Sequence, residues 1–156
     1  MMKWKKMSTP ISDEAMAEVE KQLGVKLPQD FVEWTQQFEG PESDHVWVDV
    51  NDEAQDVEGF LGPKSIIYDA NLFFEDGDKK YREFGIAVPF AVDSIASKYF
   101  LFYPKGSESP SGIYFKSSDV DNSAVFDENG IRSELFISNT FQGFLDQLYH
   151  YDPFED

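Results

Sequence analysis

The sequence predicts an α+β domain, with two N-terminal helices packed on a mainly antiparallel sheet and closed by a C-terminal helix. Three observations carry this. Apolar residues recur at helical spacing towards the two ends of the chain, as Met16, Val19 and Leu23, then Phe31, Trp34 and Phe38, and finally Phe141, Phe144, Leu145 and Leu148. Between them lie short runs rich in Val, Ile, Phe and Tyr, bounded by turn residues. Helix and strand do not alternate as a parallel sheet would require.

The first helix is predicted from about Ser12 to Leu23. Ser12 suits the N-cap, Asp13 and Glu14 sit where the helix dipole favours negative charge, and Ile11 with Met16 has the spacing of a hydrophobic staple. Gly24 suits a left-handed C-cap. Pro28 then opens a second helix at no cost in hydrogen bonding, and Gly40-Pro41 ends it after Phe38. Val46, Val48 and Val50 alternate with Trp47 and Asp49, which reads as a strand with one buried face. Ser65–Tyr68 is a short strand candidate. Asp69–Phe84 stays open between a helix, lined by Leu72, Phe73, Tyr81 and Phe84, and a turn at Glu75-Asp76-Gly77-Asp78. Strands follow at Gly85–Asp93, Lys98–Tyr103 and Gly112–Lys116, with a tight connection at Ala96-Ser97 and a loop from Pro104 to Ser111. Asp127-Glu128-Asn129-Gly130 is another turn. The closing helix runs from about Thr140 to Tyr149, with Asn139 as cap and Gln142 completing a capping box.

The chain has 156 residues, read as one domain (1–156) with an ordered core of about 11–149, and its 15 Phe, 7 Tyr and 3 Trp supply the core. It has no cysteine, which excludes disulfides, thiolate zinc sites and a cysteine nucleophile. The basic start Met1-Met2-Lys3-Trp4-Lys5-Lys6-Met7 lacks the apolar stretch of a signal peptide, and no run is long enough to span a membrane, so a cytoplasmic location is expected.

Thirty acidic residues against thirteen basic ones give a net charge of −17. Such a surface repels nucleic acid and anionic lipid and attracts basic proteins. The acid is clustered. From Glu39 to Gly62 there are Glu39, Glu42, Asp44, Asp49, Asp52, Glu53, Asp56 and Glu58 and no Lys or Arg. A second group comprises Asp119, Asp121, Asp127, Glu128 and Glu134, and the tail adds Asp152, Glu155 and Asp156. Basic residues gather at Lys3–Lys6 and at Lys79, Lys80 and Arg82.

Catalytic signatures are missing. His45 and His150 are far apart and outside any H-E-x-x-H pattern. A calcium loop starting at Asp52 fails because Ala54 and Val57 stand where an oxygen ligand and a glycine are needed. Neither G-x-S-x-G nor a phosphate-cradling glycine loop occurs. No catalytic residue, metal ligand or cofactor is therefore expected, and the protein is not expected to be an enzyme.

Two stretches carry a family pattern. One is Ile11-x-x-Glu14, then Val19-Glu20-x-x-Leu23-Gly24-Val25-Lys26-Leu27-Pro28-x-Asp30-Phe31, then Phe38 and Gly40. The other comprises Val88-Pro89-Phe90-Ala91, Tyr99–Tyr103, Gly112–Lys116 and Ser138-Asn139-Thr140-Phe141-x-x-Phe144-Leu145. Together they resemble the Smi/Knr family of the SUKH superfamily over most of Ile11–Tyr149. The departures are the brief, acidic Gly40-Pro41-Glu42, where the family often has a glycine-rich segment, and 69–84, which matches nothing in the pattern. Leu23, Leu27, Pro28, Phe31 and Phe144 read as fold determinants, so function rests on other residues.

The resemblance implies a bacterial immunity protein that neutralises a cognate polymorphic toxin, many such toxins being nucleases. The alternative it implies is a regulatory or adaptor module like the fungal cell-wall regulators. A carboxylate enzyme is a third reading. The partner expected is a basic protein domain, with no nucleic acid and no membrane, and the chain a monomer or weak homodimer. The expected contact residues are Glu42, Asp44, Trp47, Asp49, Asp52, Glu53, Asp56 and Glu58. Trp47 either anchors the partner or covers a sheet face, according to where it points. The acidic groups Glu42–Glu58 and Asp119–Glu134 act together only if folding brings them to one surface.

Overall fold

In a computed structural model describing residues 2–74, 76–152 and 154, with the backbone alone over 76–79, the chain starts with strand β1 (Trp4–Lys6). Helix α1 (Asp13–Leu23) follows, started by Ser12, whose hydroxyl accepts from Ala15 N–H at 3.1 Å. Gly24 ends it in the left-handed region at φ 69°. Ser12→Ala is expected to lower stability by about 1 kcal/mol, read as a lower midpoint in thermal melting.

The hinge into α2 (Gln29–Gln37) is held by side chains. The Glu20 carboxylate accepts from Leu27 N–H at 2.7 Å, and the Tyr103 hydroxyl donates to the Lys26 carbonyl at 2.7 Å. After α2 the chain goes directly into β2 (Phe38–Pro41), which pairs with β1. Strands β3 (Val46–Val50), β4 (Glu53–Asp56) and β5 (Gly59–Phe60) come next, then helix α3 (Pro63–Leu72) and a 3-10 stretch, Asp76–Phe84. Long strands β6 (Gly85–Val92), β7 (Lys98–Pro104) and β8 (Gly112–Lys116) follow, then the small β9 (Phe126–Asp127) and β10 (Gly130–Ile131). Strand β11 (Phe136–Ser138), helix α4 (Phe141–Gln147) and strand β12 (Tyr149–His150) complete the fold.

The central sheet has the order β11-β8-β7-β6-β5 and is antiparallel throughout. A second antiparallel sheet has the order β12-β3-β4. The predicted α+β architecture is thus the observed one.

Strand β7 shows how the central sheet is buried. Its Tyr99, Leu101 and Tyr103 enter the core that contains Met16, Val19, Phe31 and Phe144 from α1, α2 and α4. Its Phe100 and Phe102 enter a second core on the other face, with Phe73, Phe74, Val125 and Phe126. Burial on both faces explains why these strands read as continuous apolar runs and not as alternation. In the first core Phe31, Phe90, Phe141 and Phe144 meet mainly edge to face, with ring centroids 5.0 Å apart for Phe31–Phe141 and 5.3 Å for Phe90–Phe144.

Four local expectations are corrected. Ser65–Tyr68 is helical, inside α3: Pro63 stands in the first turn, and Ile66 is buried in the main core while Tyr68 is exposed. The closing helix is capped by Thr140 and not Asn139, since the Thr140 hydroxyl accepts from Gly143 N–H at 3.0 Å. The Gln142 side chain turns away from the cap and donates to Asp146 at 2.9 Å. The helix stops at Gln147, because Tyr149 and His150 leave it to pair with β3. The open segment 69–84 resolves into the end of α3 and the 3-10 stretch, and Glu75 of the expected turn lies outside the described residues.

Candidate protein-binding face

The two-residue turn between β3 and β4 is Asn51-Asp52, with φ of 50° and 67°. A type I′ hairpin turn needs positive φ at both central positions, and Asn and Asp tolerate it well. This turn fixes the register: Trp47 lies opposite Asp56, and Asp49 opposite Ala54. Val46, Val48 and Val50 are buried in the core, so Trp47 and Asp49 point the other way, to solvent.

On the other side of β3, Tyr149 of β12 stands opposite Trp47 and joins the same outward face. Besides the pairing of β12 with β3, five contacts among the described residues clasp the C-terminal segment there. The Trp47 indole N–H donates to the Tyr151 carbonyl at 2.7 Å, and the Tyr149 hydroxyl donates to Asp49 Oδ1 at 2.6 Å. Tyr151 N–H donates to the His45 carbonyl at 3.0 Å. His150 Nδ1 lies 2.7 Å from the Asp44 carbonyl, so that nitrogen carries the hydrogen. His45 Nε2 is 3.7 Å from Asp152 Oδ2. The outcome is a sheet face bearing Trp47, which is half-buried, with Tyr149 and Tyr151 exposed by 37% and 59%.

The expected contact residues separate into groups. Asp44, Trp47, Asp56 and Glu58 line one concavity of about 380 Å³, together with Ser43, His45 and Ser94. Asp49 is beside it on the outward face and Asp52 is exposed at the hairpin tip, whereas Glu53, also exposed, stands opposite the buried Val50 and so on the side of β4 away from Trp47. Glu42 is on the loop before β3, outside the lining of that concavity. Asp56 has a structural duty as well: its carboxylate accepts from Ser94 N–H at 3.0 Å and Ser94 Oγ at 3.2 Å, which ties β4 to the β6–β7 turn.

Part of the second acidic group lies elsewhere. Val125 and Phe126 pack in the core on the face of the central sheet turned away from β3, α1, α2 and α4. Several of its carboxylates shape turns. Asp121 accepts from Ser123 N–H at 2.9 Å and from the Ser123 hydroxyl, bonds that hold its carboxyl below the usual range. Asp127 accepts from Asn129 N–H at 2.8 Å. Asp127 and Glu128, which follow Phe126, therefore stand apart from Glu42–Glu58, whereas Asp119 follows Ser118, whose N–H donates to Ser97 Oγ at 3.0 Å in the β6–β7 turn that Asp56 also ties. Glu155 and Asp156 of the tail lie outside the described residues.

Sequence reasoning missed Tyr149 and Tyr151, assigning the first to the closing helix and the second to the tail. The Tyr149-His150-Tyr151 alternation after Leu148 is the signal that points to a strand. The hydrogen bond to Asp49, with lesser contributions from burial and the Asp49 charge, pushes the Tyr149 phenol up to about 12. An unfolded tyrosine ionises near pH 10. The folded state therefore holds its proton longer, and the stabilisation is complete below about pH 10 and is lost as pH rises towards 12. Tyr149→Phe is expected to remove this alkaline component of the unfolding profile, followed by absorbance of the phenolate and by melting temperature.

Tyr99 and Tyr103 are also pushed up, chiefly by burial. Their hydroxyls donate to the carbonyls of Asp56 and Lys26 at 2.7 Å and hold the fold together. Among the described residues, no three His, Asp or Glu side chains are grouped so as to hold a metal ion, and no helix is long and apolar enough to cross a membrane.

No curated protein and no solved structure matches the chain. The family described as SMI1 / KNR4 family (SUKH-1) matches residues 10–147, which span all four helices and the strands from β2 to β11. The chain belongs to the SMI1/KNR4 family (SUKH-1).

Proposed function

We propose that this protein is an immunity protein that binds and neutralises a cognate, basic, nuclease-type toxin domain with the outward face of the β12-β3-β4 sheet. The observation that carries the reading is the combination of Trp47, Tyr149 and Tyr151 with Asp44, Asp49, Asp56 and Glu58 around them and Asp52 and Glu53 at the hairpin tip beside them. Membership of the family supports a protein partner in general.

The mechanism follows from two separate contributions. Aromatic anchors at the centre of an interface often supply about 2 kcal/mol or more each, because their flat surfaces bury large areas at small entropy cost. Carboxylates at the rim steer a basic partner, and complementary charge raises association from about 10⁵–10⁶ to about 10⁸ M⁻¹s⁻¹ or more at low salt. A nuclease cleft is basic because it holds phosphates. Covering it blocks substrate with no chemistry on the inhibitor's part. The protein does this in the cytoplasm, as a monomer or weak homodimer.

The test is stopped-flow association with the cognate toxin domain over a range of ionic strength. A rate that falls steeply with salt, and falls further for Asp52→Lys/Glu53→Lys at fixed salt, is the expected result. A salt-insensitive rate unaffected by the charge reversal would sink the electrostatic mechanism.

A further inference from the structure

Cations are scarce in this chain, and three of them surround one groove. Lys26, Arg82 and Lys105 line a concavity of about 670 Å³, between the α1–α2 hinge, the start of β6 and the turn after β7. Each is placed by a specific tie. The Tyr103 hydroxyl donates to the Lys26 carbonyl at 2.7 Å. Lys105 N–H donates to the Phe84 carbonyl at 3.0 Å, which brings the turn after β7 beside the segment that ends in Arg82-Glu83-Phe84. Gly85, opposite Pro104 at φ 150°, lets β6 start directly against β7, since a Cβ there would collide with the Tyr103 carbonyl oxygen.

The three charges are free to act. Among the described residues the ion pairs are Lys5–Glu39 and Lys98–Asp69, with His45 beside Asp152, and none of these involves Lys26, Arg82 or Lys105. One carboxylate, Glu108, lines the groove among the described residues. Ile86, which is 38% exposed, adds an apolar patch to the wall. Three like charges around a concavity repel one another until an anion enters. A guanidinium fork with two ammonium groups suits phosphate oxygens, Arg binding them bidentately and Lys as point charges.

We infer that this groove binds a soluble phosphate-bearing anion, at a site separate from the β12-β3-β4 face. The chain's acid does not forbid it. At physiological salt the Debye length is about 8 Å, so carboxylates farther away are screened while the three cations in contact are not. An anionic membrane meets the whole charge of −17 instead, which favours a small soluble ligand over a lipid surface.

The experiment titrates pyrophosphate into the full ¹⁵N-labelled chain at constant ionic strength, so that no toxin is needed and its outcome is independent of the proposed partner. Saturable shifts at the amides of Gly24, Lys26, Ile86, Lys105 and Gly106 are expected, with a Kd below about 1 mM. Lys26→Gln/Arg82→Gln/Lys105→Gln is expected to weaken binding at least tenfold. Lys3→Gln/Lys5→Gln/Lys6→Gln, which removes the same charge elsewhere, is expected to change it less than twofold. Lys105→Gln alone, in an exposed turn, is expected to weaken it about threefold and covers the case of a poorly folded triple variant. Shifts that do not saturate, or that centre on other residues, or equal losses in both triple variants, overturn the inference. ADP is expected to produce the same shifts, and co-sedimentation with phosphatidylglycerol vesicles would overturn the assignment to a soluble anion.

Discussion

Phe144→Ala is expected to destabilise the domain by about 3–5 kcal/mol, the usual cost of removing a buried aromatic ring and leaving a cavity. Phe144 is fully buried, and its ring lies 5.3 Å from that of Phe90, 5.5 Å from Tyr99, 6.4 Å from Phe60 and 6.3 Å from Phe141. These rings come from α4, β6, β7 and β5, so one residue joins the closing helix to the central sheet. Domains of this size are stable by about 5–15 kcal/mol, so the loss removes a large fraction of the total. Urea unfolding checks it, with the midpoint falling and the slope unchanged. Phe144→Leu keeps most of the volume and is expected to cost much less. If the alanine variant loses under about 1 kcal/mol, the ring cluster is not the junction described here.

Trp47→Ala is expected to weaken toxin binding by about 30-fold or more, corresponding to at least about 2 kcal/mol at a contact centre. The substitution also removes the indole N–H that holds the Tyr151 carbonyl, so a loosened C-terminal strand contributes to the loss. Trp47→Phe separates the two effects, retaining an aromatic surface but not the donor. If the phenylalanine variant binds nearly as well as the parent, ring contact dominates. If it fails as badly as alanine, the clasp on Tyr151 dominates. Unchanged affinity in Trp47→Ala would remove Trp47 from the interface. The charge reversal at Asp52 and Glu53 is expected to act mainly on the association rate, whereas Trp47 acts on dissociation, because rim charges steer and buried anchors retain.

Much of the fold was legible because its signals are local. Ser12 and Gly24 bracket α1 through hydrogen bonds to residues three and four positions away. Pro28 starts α2, and the β6, β7 and β8 runs are apolar because both faces of their sheet are buried. Errors arose where two readings share one composition. Ile66-Ile67 suits a strand by propensity, and only the packing of Ile66 among the residues of the main core makes the segment helical. Asn139 and Thr140 are both good caps, and the direction in which the chain leaves β11 selected Thr140.

The candidate site was legible by half. Its β3 residues and their outward direction follow from the Val46-Trp47-Val48-Asp49-Val50 alternation, and the Asn51-Asp52 turn holds them in place. Its aromatic neighbours come from β12, where Tyr149 meets Asp49 across 100 positions of chain.

By itself the sequence determined the class of fold, both ends of α1, the start of α2, the outward face of β3 and a strongly acidic charge. Tertiary structure alone decided that Tyr149 and Tyr151 join Trp47, that Asp127 and Glu128 are carried to the far face of the central sheet with Phe126, and that Lys26, Arg82 and Lys105 meet around one groove. The physical reason is range. Caps, turns and periodicity act between residues a few positions apart, whereas the pairing of distant surfaces depends on which apolar faces can be buried together once every element has formed.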